Sequence, residues 1–116
     1  GFVYGGEYEI LPDASLDDYS ALCVVCEAPG YSMALMIPGR DECYPGWSEA
    51  YHGELASGHA YHDGPSEYIC LDSKPEKGDD NNHDGKLLYT VRARCGSLAC
   101  PPYEDDALLT CVVCLK

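Results

Sequence analysis

The sequence predicts an all-β fold, a small disulfide-rich domain of short antiparallel strands. Three observations carry that expectation. No segment sustains a 3.6-residue apolar period over three turns, so no amphipathic helix is written into the chain. Short runs of β-branched and aromatic residues are separated instead by Gly and Pro turns. Eight cysteines lie in 116 residues, an even and dense set of the kind that builds a disulfide framework in an oxidising compartment.

The elements follow in chain order. Phe2, Tyr4, Tyr8 and Ile10 alternate loosely with Gly5, Gly6, Glu7 and Glu9, which predicts a strand over 2–10 interrupted at its glycines. Residues 12–18 read as a turn and 22–26 as a short β-branched strand. Ala28-Pro29-Gly30 marks a break, after which an apolar run over 32–37 ends at Pro38-Gly39. Cys43-Tyr44-Pro45-Gly46-Trp47 is a second turn. Beyond it, a strand over 47–55 sets Trp47, Glu49, Tyr51, Gly53 and Leu55 on one face. A His- and Tyr-rich loop (58–65) leads to a strand at 68–71. Residues 72–85 are polar and predict an exposed loop. Strand 86–94, a constrained loop at 95–103 and a closing strand at 108–115 complete the chain.

An internal repeat shapes the organisation. Asp17-Asp18-Tyr19-Ser20-Ala21-Leu22-Cys23-Val24-Val25-Cys26 resembles Glu104-Asp105-Asp106-Ala107-Leu108-Leu109-Thr110-Cys111-Val112-Val113-Cys114: an acidic turn, a few apolar residues, then Cys-Val-Val-Cys. Upstream, Gly1-Phe2-Val3-Tyr4 stands where Gly85-Lys86-Leu87-Leu88-Tyr89 stands in the later copy. The expectation is the closing segment of a truncated first repeat, residues 1–26, and a complete second repeat, residues 27–116, together forming one compact domain. The expected chain begins mid-architecture, as a proteolytic product or fragment, or with residues 1–26 completing another part of an assembly; any signal peptide is already removed or belongs to the precursor.

Twenty acidic residues face seven basic ones, a net charge of −13. That field repels nucleic acid and anionic membrane, and favours cations, basic partners or neutral ligands. No apolar run approaches the roughly 20 residues that span a bilayer. Ten tyrosines beside one Phe and one Trp favour half-buried, hydrogen-bonding aromatics of the kind found on polar binding surfaces.

Cys95 and Cys100 enclose a loop short enough to close on itself, which predicts a bridge between them. Cys111 and Cys114, three apart on a strand, point to opposite faces and need different partners, for which Cys43 and Cys70 are the natural choices. Cys23 and Cys26 share that geometry; they are open to another chain, to each other, or to a cysteine assigned above. Two Cys-x-x-Cys pairs also suggest a structural zinc site, but they lie far apart and leave four cysteines over. A redox pair belongs at a helix N-terminus, and the intervening valines favour a strand.

Residues 27–116 resemble the C-terminal non-collagenous domain of sponge short-chain (spongin-type) collagens and related secreted invertebrate proteins. The resemblance rests on Met36-Ile37-Pro38-Gly39-Arg40, Cys43 with Gly46-Trp47, Glu67-Tyr68-Ile69-Cys70, Gly85-Lys86-Leu87-Leu88-Tyr89, Cys95-Gly96-Ser97-Leu98, Cys100-Pro101-Pro102-Tyr103 and Thr110-Cys111-Val112-Val113-Cys114. It implies a domain of paired halves, the first ending as residues 1–26 do. Because some sponge lectins look similar, it also implies sugar binding as the leading function.

A sugar site needs an aromatic face for the apolar side of the ring and convergent polar groups for its hydroxyls. Trp47, Tyr51, His52, Glu54, His59, Tyr61, His62 and Asp63 supply both within one stretch and are the candidate ligand residues. Asp80, Asn82 and Asp84, with Gly85, fit the opening of a calcium loop, although Val91 stands where the bidentate Glu belongs, so a solvated acidic loop competes with calcium binding. Ser57 and His59 make no triad by spacing, and no Asn-x-Ser/Thr sequon occurs. The sequence therefore predicts a secreted, non-catalytic, lectin-like protein that binds glycans. It would be multivalent as a homo-oligomer or through a disulfide-linked companion chain. The alternative is a structural module of extracellular matrix, calcium- or mineral-binding in a narrower form.

Overall fold

In the computed structural model, which describes residues 1–9, 11–64, 66–80 and 85–116, the Pro-Gly steps become the chain's corners. Tyr31 donates its N–H to the Ala28 carbonyl (3.2 Å) and Trp47 to the Tyr44 carbonyl (3.1 Å), with Gly30 at φ 87° and Gly46 at φ 85°. Both are four-residue turns with Pro second and Gly third, where proline's fixed φ and glycine's tolerance of positive φ make the reversal cheap.

Among the described residues the corners separate eight strands: β1 (Gly6–Tyr8), β2 (Tyr19–Ala21), β3 (Ala34–Pro38), β4 (Ser48–Ser57), β5 (Ile69–Asp72), β6 (Lys77–Asp80), β7 (Lys86–Thr90) and β8 (Thr110–Leu115). A 3-10 turn at Ala14–Leu16 is the one helical element described. The sheet order is β3-β8-β4-β7-β1-β2-β6, with β5 on the other edge of β4. The chain is thus an all-β, disulfide-rich domain. Its pairs are antiparallel except β1 with β7, which run parallel, Glu7 beside Leu87.

β8 lies between β3 and β4 and carries the fully buried Cys111, Val112 and Cys114. Its two cysteines face opposite ways, as alternation on a strand requires, and each is bridged: Cys114 to Cys43 and Cys111 to Cys70. Cys95 bridges Cys100. The sequence separations of the two long bridges are 71 and 41 residues, worth about 4 kcal/mol each in the chain-entropy account, against about 2 kcal/mol for the short one at separation 5. Three disulfides fit an oxidising compartment. No helix among the described residues is long and apolar enough to cross a membrane.

A second cluster joins Tyr8, Leu16 and Leu88, with Leu11, Tyr19, Ala21 and Leu71 packed against it. Tyr8 donates its hydroxyl to the Glu76 carbonyl at 3.0 Å, which satisfies its polar end.

Three sequence expectations are corrected. Residues 22–26 form no strand: β2 stops at Ala21, and Val24 and Val25 are 83% and 99% exposed. β-propensity alone does not hold a strand without neighbours to hydrogen-bond it. Residues 77–80, inside the expected loop, form β6 against β2. Pairing there is through the backbone of an exposed edge, and its residues carry no apolar alternation that a sequence pattern would reveal. The supposed common face of Trp47, Glu49, Tyr51, Gly53 and Leu55 is split by a register shift between Glu49 and Tyr51. Glu49 pairs with Cys114 and Tyr51 with Val113, neighbours on opposite faces of β8, as a bulge dictates.

The acidic turns before the two Cys-Val-Val-Cys segments are built alike. Glu7 pairs with Ser20, and Arg92 bridges to Leu108, both antiparallel. Asp18 donates its N–H to the Tyr8 carbonyl (3.0 Å), and Asp106 to the Ala93 carbonyl (2.8 Å). Both aspartates adopt positive φ, 67° and 64°. Asp17 and Asp105 each accept an N–H from the loop they close, of Leu11 and Cys95 respectively. Past these turns the copies diverge: 111–114 lies in the sheet centre, while Cys23 and Cys26 are exposed free thiols.

Gly53 allows β5 to fold across β4, where it pairs with Asp72. A Cβ there would run into the Leu71 carbonyl oxygen and lie 2.7 Å from the Ser73 nitrogen. Both obstacles are backbone, so the clash cannot be relieved by a rotamer change. Gly53→Ala is expected to destabilise the fold by about 2–3 kcal/mol, the range of core overpacking. Denaturant unfolding checks this, and an unchanged midpoint contradicts the crossing.

Candidate functional site

β4 and the loop after it carry all but the first of the candidate ligand residues, but they do not bring the set together. β4 spans ten residues, which at about 3.3 Å per residue separates its ends by roughly 30 Å. Trp47 sits half-buried at one end, with the Lys116 ammonium 5.6 Å from its ring centroid. Tyr51 donates its hydroxyl to the Cys70 carbonyl at 3.1 Å, and burial raises its pKa. It braces the β5 crossing. His52 places Nδ1 2.7 Å from Glu49 Oε1, and that hydrogen bond raises the imidazole's pKa. The contact exists because the bulge puts Glu49 and His52 on one face.

Glu54 enters a cleft of about 370 Å³ lined with Leu11, Leu16, Leu71, Asp72 and Pro75. Leu16 belongs to the Tyr8 cluster and Leu11 and Leu71 pack against it, so the cleft's apolar wall is the edge of the core. Burial raises the Glu54 carboxyl above its ordinary pKa. This is the larger of the two clefts described, yet it has no aromatic ring to stack on a sugar.

At the other end of β4 the remaining candidates do converge. His59 lies 4.7 Å from His62 and 5.6 Å from Tyr61, ring centroid to centroid. Tyr89 of β7 closes the cluster, 4.8 Å from His59 and 5.8 Å from His62, both edge-to-face. β7 arrives here because Ser57, the last residue of β4, pairs with Tyr89. The loop is tied locally: the His62 N–H donates to the His59 carbonyl (3.1 Å) and the Tyr61 N–H to His59 Nδ1 (3.3 Å). Ser66 accepts the Gly58 N–H at 2.7 Å and the Ser57 hydroxyl at 3.1 Å. A shallow cleft of about 170 Å³ opens beside the rings, lined by His59, His62, Asp63, Ser66, Lys86 and Leu87. Tyr61, whose ring meets His59, is 89% exposed.

The site is therefore aromatic on one wall, with a carboxylate, a hydroxyl and an ammonium on the others. It can stack on the apolar face of a small polar ligand and hydrogen-bond to its rim. Sequence reasoning found His59, Tyr61, His62 and Asp63 but missed Ser66, Lys86 and Tyr89. Tyr89 was hidden because only the β4–β7 pairing brings it near. Of the calcium-loop residues, Asp80 ends β6 and is exposed, while Asn82 and Asp84 lie outside the described residues. No protein-family model matches this chain, and neither a curated protein nor a solved structure is significantly similar to it.

Glu54 gives the large cleft a pH signature. Its folded pKa is raised, so its contribution to stability is full below the unfolded value of about 4.3 and is lost as pH rises through the folded pKa. Glu54→Gln is expected to raise the melting temperature at pH 7 and leave it unchanged at pH 3. Thermal unfolding at both pH values checks this; an equal gain at both contradicts it.

Proposed function

We propose that this chain is a secreted, lectin-like carbohydrate-binding protein that works by binding rather than catalysis. The observation that carries the reading is the ring cluster of His59, Tyr61, His62 and Tyr89 beside a cleft edged by Asp63, Ser66 and Lys86. Sugars present one apolar face and a rim of hydroxyls, and this wall and rim match that division. A cleft of about 170 Å³ takes one sugar residue rather than a long glycan. Affinity then comes from several copies acting together, through oligomerisation. The disulfide framework supports an extracellular setting. Trp47 falls outside this site, being stacked with Lys116 at the far end of β4.

A glycan array followed by simple-sugar competition tests the reading. His59→Ala and Tyr61→Ala are each expected to weaken binding about tenfold, the scale of a lost aromatic contact, while Trp47→Ala binds as the parent does. Absence of glycan binding, or loss in Trp47→Ala alone, contradicts the assignment.

A second reading, a structural module of extracellular matrix, is favoured by a separate observation. Cys23 and Cys26 are exposed free thiols beside exposed Val24 and Val25, in a domain whose six other cysteines are bridged. On this reading residues 1–26 are the closing segment of a truncated repeat, and 22–26 joins a second copy or a companion chain that supplies its strand neighbours and cystine partners. Non-reducing electrophoresis is expected to show covalent oligomers that vanish in the Cys23→Ser, Cys26→Ser double variant. A monomer in both lanes contradicts it.

A further inference from the structure

We propose that Glu7, Glu9 and Asp18 form a calcium site. Glu7 on β1 pairs in register with Ser20 of β2, and Glu9 and Asp18 lie just beyond the paired ends, where the Asp18 N–H donates to the Tyr8 carbonyl. One oxygen from each of the three carboxylates lies within 4.8 Å of the others. Calcium binds oxygens at about 2.3–2.6 Å, so donors about 5 Å apart or closer share one ion.

Two independent observations turn this acidic cluster into a site. The first is burial. Glu7 is 5% exposed, and its Oε1 is buried with no hydrogen-bond partner among the described residues. A carboxylate in that setting is costly unless an opposite charge compensates it. No described ion pair involves Glu7 or Asp18. Lys86, beside β1 in register, pairs with Gly6 and carries its ammonium to Gly58 instead.

The second is the chain's own later copy of the same turn. Glu7, Glu9 and Asp18 occupy the places that Arg92, Arg94 and Asp106 occupy there, by the shared strand register and the shared aspartate hydrogen bond. In that copy the fold supplies its own cations: the Arg92 guanidinium meets the Asp106 carboxylate at 3.4 Å and its carbonyl at 2.8 Å, and Arg94 meets Asp105 at 3.5 Å. The early copy replaces both arginines with glutamates. Where a guanidinium meets Asp106 in the later copy, the buried carboxylate of Glu7 stands near Asp18 in the early one, and a bound cation takes the guanidinium's place.

Calcium fits better than magnesium. Its flexible coordination of six to eight oxygens accepts donors set by strand geometry, with half-exposed Glu9 and Asp18 leaving room for water. The ion would join β1 to the entry of β2, clamping the turn that delivers Leu16 to the core.

The test is thermal unfolding of the chelator-stripped protein, titrated with calcium chloride at matched ionic strength, alongside calorimetric titration. At about 10 mM calcium, some tenfold above the weakest extracellular sites, the midpoint is expected to rise by about 5 °C. Glu7→Gln removes the rise, and so does Asp18→Asn, which keeps a residue that tolerates positive φ. Asp80→Asn, in the sequence-suggested loop, retains it. Absence of a rise in the parent protein, a rise that survives Glu7→Gln and Asp18→Asn, or a rise lost in Asp80→Asn overturns the proposal.

Discussion

Two cysteines on opposite faces of one central strand govern this structure. β8 is hydrogen-bonded along both edges, by β3 and β4, and a disulfide leaves each face, to Cys43 on one side and Cys70 on the other. With so few fully buried side chains among the described residues, their apolar core is too small to hold the 71- and 41-residue separations in place without the bridges. The Cys70 bridge also explains the crossing of β5: Cys70 stands two strands from Cys111 in sheet order, and only the close approach at Gly53 brings them within bonding distance. Long β4 then acts as the spine on which β8, β5 and β7 are hung in turn, and its far end carries the ring cluster.

The two acidic turns show how one local geometry accommodates opposite charge solutions. The positive-φ aspartate and its hydrogen bond to the preceding strand recur in both, so the backbone does not depend on the flanking charges. What differs is the side chains at two positions two residues apart, arginines in one case and glutamates in the other. With a net charge of −13, the chain has few cations to spare, and two of them, Arg92 and Arg94, are used on particular carboxylates.

Much of the fold was legible because local chemistry and tertiary structure agree. The Pro-Gly corners, the strand character of β3, β4, β5, β7 and β8, and the divergent cysteines of β8 all follow from residue type and spacing. Residues 22–26 and 77–80 failed for opposite reasons. The first has β-forming side chains but no neighbour to pair with among the described residues, and the second has neighbours but polar side chains. The bulge in β4 was invisible because Glu49-Ala50-Tyr51 carries no glycine or proline to mark it, and it alone separates Trp47 from the face of Tyr51. The candidate sugar site was half legible for the same reason: residues on one loop can be read together, whereas Tyr89, Ser66 and Lys86 join them only through pairing and loop closure.

The architecture stands or falls on sulfur connectivity. Peptide mapping of the native, alkylated, unreduced protein measures it directly. Bridges of Cys43 to Cys114, Cys70 to Cys111 and Cys95 to Cys100 are expected. Eight alkylated thiols, or Cys111 and Cys114 bound to any other partners, would contradict the architecture built on β8.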